Sequence, residues 1–257
     1  MNYNEINALR STQIKALASG GPRELWEVTY GEKESTPSMQ LGTMSHLKAL
    51  QPEKWNKEVL VEAIDRRTKE GKARAAEVEA KGLIVVKPEE AEKICAMATE
   101  WNKAAKLILG DEFKTEEIVT ATVNGVNVKA QIDAINYTKR IIVDMKSISD
   151  VSQAYREIWK RRYDLQMGFY VNDLNKCVEG GDEWSTYLVF VETSSPFRYK
   201  VFDLTNILPA SRKIAGDMTV KADCCLKEYG TELKNWPQPG IAVITEYPDW
   251  ISEMEKD

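Results

Sequence analysis

The stretch Glu117–Lys146, EIVTATVNGVNVKAQIDAINYTKRIIVDMK, contains the clearest structural signal in the chain. Its Asn124-Gly125 dipeptide is a preferred two-residue hairpin turn. The turn lies between a β-branched run, Glu117–Val123, and an alternating run, Val126–Asn136. Arg140–Lys146 follows with the composition of a third strand. We therefore predict a β-meander of three strands in this region.

The segments around the meander are mostly helical in pattern. Helices are predicted at Ser11–Gly20, Arg23–Tyr30, Gly42–Leu50, Lys57–Lys81, Pro88–Ile108, Ser152–Val171 and Asn206–Glu228, and two further strands at Thr186–Glu192 and Tyr199–Leu204. This order predicts an α/β (mixed α+β) fold and one domain over residues 1–257. Its expected parts are a mainly helical segment (1–110), a segment with the meander, a helix and a hairpin (111–204), and a helical C-terminal segment (205–257).

The composition limits the classes of protein that remain. The chain has 257 residues, of which 43% are hydrophobic and 29% charged, which excludes a disordered or collagen-like protein. No apolar run approaches the roughly 18 residues of a membrane-spanning helix, so we expect no membrane contact. The four cysteines form no C-x-x-C pair and there is one histidine, which argues for a cytoplasmic protein without a Cys/His zinc site. The net charge of −5 still allows a local basic patch.

Charged residues interrupt the apolar pattern of the third predicted strand. Asp144 and Lys146 share one face because strand side chains alternate, and a turn centred on Thr138-Lys139 places Asp133 opposite Asp144, with Cβ atoms about 5 Å apart. Two carboxylates this close repel each other unless a cation or a proton lies between them. Mg²⁺, which prefers oxygen ligands, suits such a pair. The alternative is an Asp144–Lys146 ion pair beside an unrelated Asp133, and these residues alone leave both interpretations open.

Several motifs resemble a known nuclease superfamily. Asp133, followed after ten residues by Asp144-Met145-Lys146, resembles the D…(D/E)-x-K signature of PD-(D/E)XK nucleases. Gln166 and Tyr170, which share one helical face at i and i+4, resemble the Q-x-x-x-Y motif of the RecB-like and RecE-like branches. Gly42-Thr43-Met44-Ser45-His46 is similar to the G-T-x-x-H element of RecE-type exonucleases and includes the single histidine.

Two weaker matches extend the resemblance over most of the chain. Residues 67–72, RTKEGK, resemble the R-T-x-x-G-K stretch of the RecE-type family. Glu117, Gly125, Lys129 and Asp133 fit its E-(x)n-G-x-x-x-K-x-x-x-D pattern, although the adjacent Glu116 could take the acidic position instead. The chain thus resembles a RecE-type (exodeoxyribonuclease VIII-like) phage or prophage exonuclease. The resemblance implies a single restriction-endonuclease-like domain with a central mixed β-sheet flanked by helices.

The resemblance also implies an activity and roles for the matching residues. The implied activity is Mg²⁺-dependent 5′→3′ digestion of double-stranded DNA ends, with Mn²⁺ as a substitute for Mg²⁺. It leaves 3′ single-stranded tails for a recombinase or annealing protein, and it implies a homo-oligomeric ring in a bacterial host cell. The implied metal ligands are Asp133, Asp144, the Met145 carbonyl and His46; Glu117 supports them, Lys146 positions the attacking water, and Gln166 and Tyr170 fix the DNA strand.

A basic stretch precedes the Q-x-x-x-Y motif, and two other functions remain open. Arg156, Lys160, Arg161 and Arg162 are either DNA-phosphate contacts or a solvated basic face. A structure-specific endonuclease or nickase of the same superfamily would use the same catalytic residues. A non-catalytic DNA-binding module is the second rival, and the complete set of two aspartates and a lysine argues against it.

Overall fold

The computed structural model describes residues 3–32, 35–178 and 183–238. Its helices are α1 (Ser11–Tyr30), α2 (Pro37–Leu50), α3 (Pro52–Glu58), α4 (Lys69–Ala80), α5 (Pro88–Leu109), α6 (Ala154–Lys160), α7 (Tyr163–Cys177) and α8 (Leu208–Tyr229). Its strands are β1 (Val59–Val61), β2 (Ile84–Val86), β3 (Lys114–Val123), β4 (Val126–Asn136), β5 (Ile141–Ile148), β6 (Ser185–Glu192) and β7 (Tyr199–Asp203). Residues 239–257 of the predicted C-terminal segment lie outside the described residues. In the part of the chain that the structure describes, no helix combines the length and the apolar character that crossing a bilayer requires.

The predicted meander forms one side of a five-stranded mixed sheet with the order β3-β4-β5-β6-β7. Neighbouring strands are antiparallel except β5 and β6, which are parallel. Asn124 and Gly125 have φ values of 51° and 81°, as a type I′ hairpin turn requires, and β4 has the predicted bounds. The expectation of a central mixed sheet flanked by helices is confirmed.

Helices cover both faces of the sheet, so its central strands are buried. On one face α5 packs through Met97 and Trp101 against Val143 of β5. On the other face α1, α7 and α8 form the larger core, which includes Ile142 of β5. Because strand side chains alternate, Asp144 and Lys146 point to the same face as Ile142, where α7 packs.

The structure corrects three helix predictions. The helix predicted over 152–171 is two helices, because Arg162 between them has a left-handed φ of 51°. The segment predicted as a helix over 57–81 contains the short strand β1, which pairs in parallel with β2, and α4 begins only at Lys69. Finally, α2 begins at Pro37 rather than Gly42, because the Thr36 hydroxyl accepts a hydrogen bond from the Met39 N–H and caps the helix.

Candidate active site

Three carboxylates, Glu116, Asp133 and Asp144, lie side by side across β3, β4 and β5; we call them the carboxylate row. The β4–β5 register pairs Ala134 with Val143, which confirms the turn used in the sequence prediction and places Asp133 opposite Asp144. The backbone ladder between β4 and β5 ends at Ala134 and Val143. Beyond it, the Met145 N–H donates instead to Oδ2 of Asp133 at 2.7 Å. The carboxylates therefore lie where β4 and β5 separate.

The acidic residue that β3 contributes to this row is Glu116, and the structure does not bring the predicted Glu117 to it. Val123 pairs with Val126 across the hairpin, and that register places position 116 opposite Asp133. Glu117 pairs with Ile132 and lies on the other face, where its carboxylate accepts a hydrogen bond from the Tyr137 hydroxyl at 3.1 Å. The Asn124-Gly125 turn already fixes this register, so counting back from the turn could have identified Glu116.

Glu116 also interrupts the ladder in its own strand pair. Its φ is 54°, a left-handed value that a glutamate rarely adopts, and no backbone pairing joins it to Asp133. Its side chain accepts a hydrogen bond from the amide of Gln131. Both ladders that flank Asp133 are thus interrupted at the level of the carboxylate row.

His46 reaches the row from α2. A Cβ atom on Gly42, one helical turn earlier, would lie 2.9 Å from the Ser147 hydroxyl, so this glycine allows α2 to approach β5 closely. The His46 Nδ1 atom lies 3.6 Å from Oδ2 of Asp133. Burial, together with the charge of Lys146, lowers the pKa of His46 to about 4. The imidazole is therefore neutral near pH 7, the form that binds metals.

The donor atoms fit a divalent cation. One atom each from His46, Glu116 and Asp133 lie within 4.8 Å of one another. Burial and the charge of Asp144 raise the pKa of Asp133 well above its ordinary value, and burial raises the pKa of Glu116. A cation would offset this unfavourable burial of negative charge. Carboxylates with one imidazole suit Mn²⁺ as well as Mg²⁺.

The Met145 carbonyl faces the same gap. The N–H and C=O groups of one strand residue point to the same side, and the Met145 N–H points to Asp133. The Met145 backbone also forms a hydrogen bond with His46. The structure therefore brings together the four predicted metal-site residues Asp133, Asp144, Met145 and His46, and it adds Glu116.

Gln166 and Tyr170 of α7 contact Asp144. The Gln166 Nε2 atom donates to Oδ1 of Asp144 at 2.6 Å and to the Tyr170 hydroxyl at 2.7 Å, and that hydroxyl lies 3.4 Å from the same carboxylate oxygen. Gly168 lies between them, and a Cβ atom there would lie 2.5 Å from the Ser211 carbonyl of α8. This close packing of α7 on α8 fixes the face of α7 that reaches Asp144.

Two lysines lie next to these groups. Lys146 forms an ion pair with Oδ2 of Asp144; burial opposes its charge, but Asp144 raises the pKa of Lys146 overall. Lys15 of α1 donates to Oε1 of Gln166 at 2.6 Å, and both ammonium groups lie within 5 Å of the Tyr163 ring centre. No motif indicated Lys15, because its contact spans 151 positions and depends on how α1 packs against α7.

A cleft of about 1380 Å³ opens beside the row. His46 and Lys146 line it, and so do three of the four predicted DNA contacts, Arg156, Lys160 and Arg161. Arg162 does not line this cleft within the described residues. It is half-buried and paired with Asp164, the second residue of α7, at 3.0 Å, so the structure does not support a DNA contact for it.

Comparisons with known proteins agree with this architecture. Residues 11–215 match a family described as a PDDEXK-like domain of unknown function. A crystal structure from Eubacterium rectale, named "putative exonuclease", is similar with a TM-score of 0.59 and 11% identity, over 85% of this chain and 81% of that one. A phage-related exonuclease from Haemophilus somnus gives a TM-score of 0.36 and 15% identity, over 88% and 99%. Among curated proteins there is no match. The first of these structures supports the fold.

Proposed function

The chain belongs to the family of PDDEXK-like domains, and from that premise we propose that it is a metal-dependent exodeoxyribonuclease. The proposed reaction is hydrolysis of double-stranded DNA from free ends in the 5′→3′ direction, which leaves 3′ single-stranded tails. One observation carries the proposal: the carboxylate row contacts His46 and Lys146, and these two side chains line a cleft that also has basic side chains.

We assign the metal ligands from the geometry of the row. Asp133, Glu116, His46 and the Met145 carbonyl would hold a divalent cation, with Asp144 beside them. When bound, such a cation lowers the pKa of a coordinated water and neutralises charge on the phosphate. The paired carboxylates favour Mg²⁺, and the imidazole makes Mn²⁺ an equally suitable cation.

The remaining side chains position the reacting groups. Lys146 is charged, lines the cleft and contacts Asp144, so its ammonium can orient the attacking water and stabilise the negative charge that develops on the phosphate. Gln166 and Tyr170 hold Asp144 from the other side. Their role is therefore to fix the Asp144 carboxylate and the DNA strand bound next to it.

Basic residues along the cleft are suited to the DNA backbone. Arg156 and Lys160 are exposed on α6, and Arg161 follows them at the end of that helix. Arg161 and Lys160 also contact Glu157, at 2.5 Å and 3.8 Å, so Arg156 is the side chain most available to a phosphate. Such contacts position a duplex without reading its sequence.

The preference for DNA ends is the part of the proposal that rests on resemblance. The RecE-type motifs around His46 and Gln166 support it, as does the name of the Eubacterium rectale protein that shares the fold. We further propose a single domain, a homo-oligomeric ring around the duplex, and a recombinase or annealing protein as the user of the 3′ tails. The natural setting would be phage or prophage recombination in a bacterial cytoplasm.

Digestion of linear and closed circular duplexes with Mg²⁺ tests this proposal. A 5′ label should be released at once as a small product, whereas a 3′ label should stay on a strand that shortens progressively from its own 5′ end. Relaxed closed circles should stay intact until a restriction enzyme opens them. Efficient cutting of those circles would establish the endonuclease or nickase alternative instead. Binding without any cleavage, in Mg²⁺ and in Mn²⁺, would leave a non-catalytic DNA-binding module.

A further inference from the structure

We infer that Lys15 is a positioning residue of this nuclease site: it holds the carboxamide of Gln166 in the orientation that donates to Asp144. The inference rests on the proposed function, because the effect expected on cleavage requires a working site. It assigns a role to α1, a helix that carries none of the nuclease motifs found in the sequence.

The contacts of Gln166 show how this works. Its Oε1 atom accepts from the Lys15 ammonium at 2.6 Å, while its Nε2 atom donates to Asp144 at 2.6 Å and to the Tyr170 hydroxyl at 2.7 Å. An amide has one acceptor end and one donor end. An ammonium can only donate and an ionised carboxylate can only accept, so Lys15 and Asp144 together permit one orientation of the amide and fix its rotation.

Lys15 acts through Gln166 rather than on DNA. Thr12, one helical turn earlier on α1, lines the cleft, whereas Lys15 does not among the described residues. Its ammonium instead lies 4.9 Å from the centre of the ring of Tyr163, which does line the cleft. A phosphate in the cleft would meet Lys146 and Tyr163 first.

The electrostatics of Lys15 argue against a purely structural role. Burial, followed by repulsion from Lys146, lowers the pKa of Lys15 to about 7. A group whose charged form is disfavoured by its folded surroundings does not add stability through that charge. The charge of Lys15 is therefore not a source of fold stability, whereas its hydrogen bond to Gln166 orients a side chain of the site.

The test compares Lys15→Met with Arg23→Met. Both replace one basic side chain of α1, but Arg23 is paired with Glu27 and does not line the cleft among the described residues. Lys15→Met should lower the single-turnover rate in Mg²⁺ by about 10–100-fold, the usual range for partners that orient site residues, with DNA affinity in Ca²⁺ unchanged. Lys15→Arg should restore part of the rate, because a guanidinium can also donate to Oε1. Arg23→Met should behave as wild type.

A double-mutant cycle with Gln166→Ala separates positioning from a direct contact. If Lys15 acts through Gln166, Lys15→Met should cause no further loss of rate in the Gln166→Ala background. Losses that multiply would mean that Lys15 contacts DNA or another group independently, and would overturn the inference. A weaker DNA affinity in Ca²⁺ for Lys15→Met would overturn it as well.

A measurement without catalysis keeps the inference distinct from the proposed function. The chain has seven glutamines, so selective labelling of their side-chain nitrogens gives seven NMR amide groups, and Gln166→Ala identifies the one of interest. That signal should shift in Lys15→Met and stay in place in Arg23→Met. An unchanged signal would refute the contact. If wild-type protein cleaves no DNA but the signal shifts, the contact stands and the proposed function fails.

Discussion

Two buried carboxyl groups, those of Asp144 and Asp173, have very different surroundings. Asp144 on β5 is 1% exposed and contacts Lys146, Gln166 and Tyr170. Asp173 on α7 is fully buried, and neither of its carboxyl oxygens accepts a hydrogen bond from the described residues. Burial raises the pKa of Asp173 to about 8. Both carboxyl groups are removed from water, but only Asp144 is surrounded by polar side chains that contact it.

The comparison shows which observation distinguishes a functional carboxyl group from one that is only buried. A buried carboxyl with a raised pKa indicates only that a charge has been removed from water, because structural groups can show the same shift. At the carboxylate row, by contrast, side chains from three strands and two helices converge on the same few atoms. Convergence of acidic, basic and amide side chains on the same atoms is therefore better evidence of function than a raised pKa. For Asp133 of the row and for Asp173, whose pKa values are both raised by burial, we expect that neutralising either carboxyl group stabilises the fold and that only Asp133 matters for cleavage.

The largest effect is expected for Asp133→Asn. Losing a metal ligand at the reacting centre should lower the single-turnover rate in Mg²⁺ by at least about 10³-fold. In EDTA, however, the melting temperature should rise. Burial and the charge of Asp144 raise the pKa of Asp133 in the folded state. This carboxyl group therefore destabilises the fold increasingly as the pH rises above the pKa that it has in the unfolded chain. Near-wild-type cleavage by Asp133→Asn would show that the row is not the active site.

Thermal unfolding with Mn²⁺ should distinguish Asp133 from Asp173 in a second way. A ligand present at 100 times its dissociation constant stabilises a protein by about 2.7 kcal/mol. We expect that gain for wild type and for Asp173→Asn, and none for Asp133→Asn. Equal stabilisation of all three proteins would place the cation elsewhere and detach the row from metal binding.

The neighbouring glutamates of β3 provide a matched pair. Glu116→Gln should lower the cleavage rate at limiting Mg²⁺ by about 10–100-fold, because Glu116 lies with Asp133 and His46. Glu117→Gln should cleave normally, since its carboxylate contacts Tyr137 and Lys114 on the other face of β3. Rates measured over a range of Mg²⁺ concentrations distinguish the two variants. The reverse result would restore Glu117 to the site.

Much of the fold was predictable because its signals are local. Asn124-Gly125 fixed the hairpin and the bounds of β4, and strand alternation placed Asp144 and Lys146 on one face. The motif residues His46 and Gln166 could be proposed from resemblance, and the structure brings both to the row.

The remaining features depend on tertiary packing or on single backbone angles. Lys15 meets Gln166 only because α1 packs on α7. The helix break at Arg162 comes from one left-handed residue inside an apolar pattern that continues across it. The three-residue strands β1 and β2 are too short to show a period and form only as a parallel pair. Glu116 was within reach of the sequence, since one additional register count would have selected it over Glu117.

The smallest effect on cleavage, and the sharpest test of the comparison, is expected for Asp173→Asn. The rate should be that of wild type, because Asp173 has no hydrogen bond to any residue of the row among the described residues. Its stability should nevertheless change with pH. The unfolded carboxyl ionises near the ordinary aspartate pKa of 3.8, whereas the folded one keeps its proton to about pH 8.

Between these two pH values the folded state binds more protons than the unfolded state, so Asp173 makes wild type less stable as the pH rises, by up to about 1.4 kcal/mol per pH unit. Asparagine cannot ionise and removes this dependence. The gain in melting temperature of Asp173→Asn over wild type should therefore be small near pH 4, grow towards pH 8 and level off above it. The exposed Asp217 of α8 supplies the control, since Asp217→Asn should track wild type at every pH. A gain that does not change with pH would mean that Asp173 is ionised in the fold by a partner, and the contrast with Asp144 would then disappear.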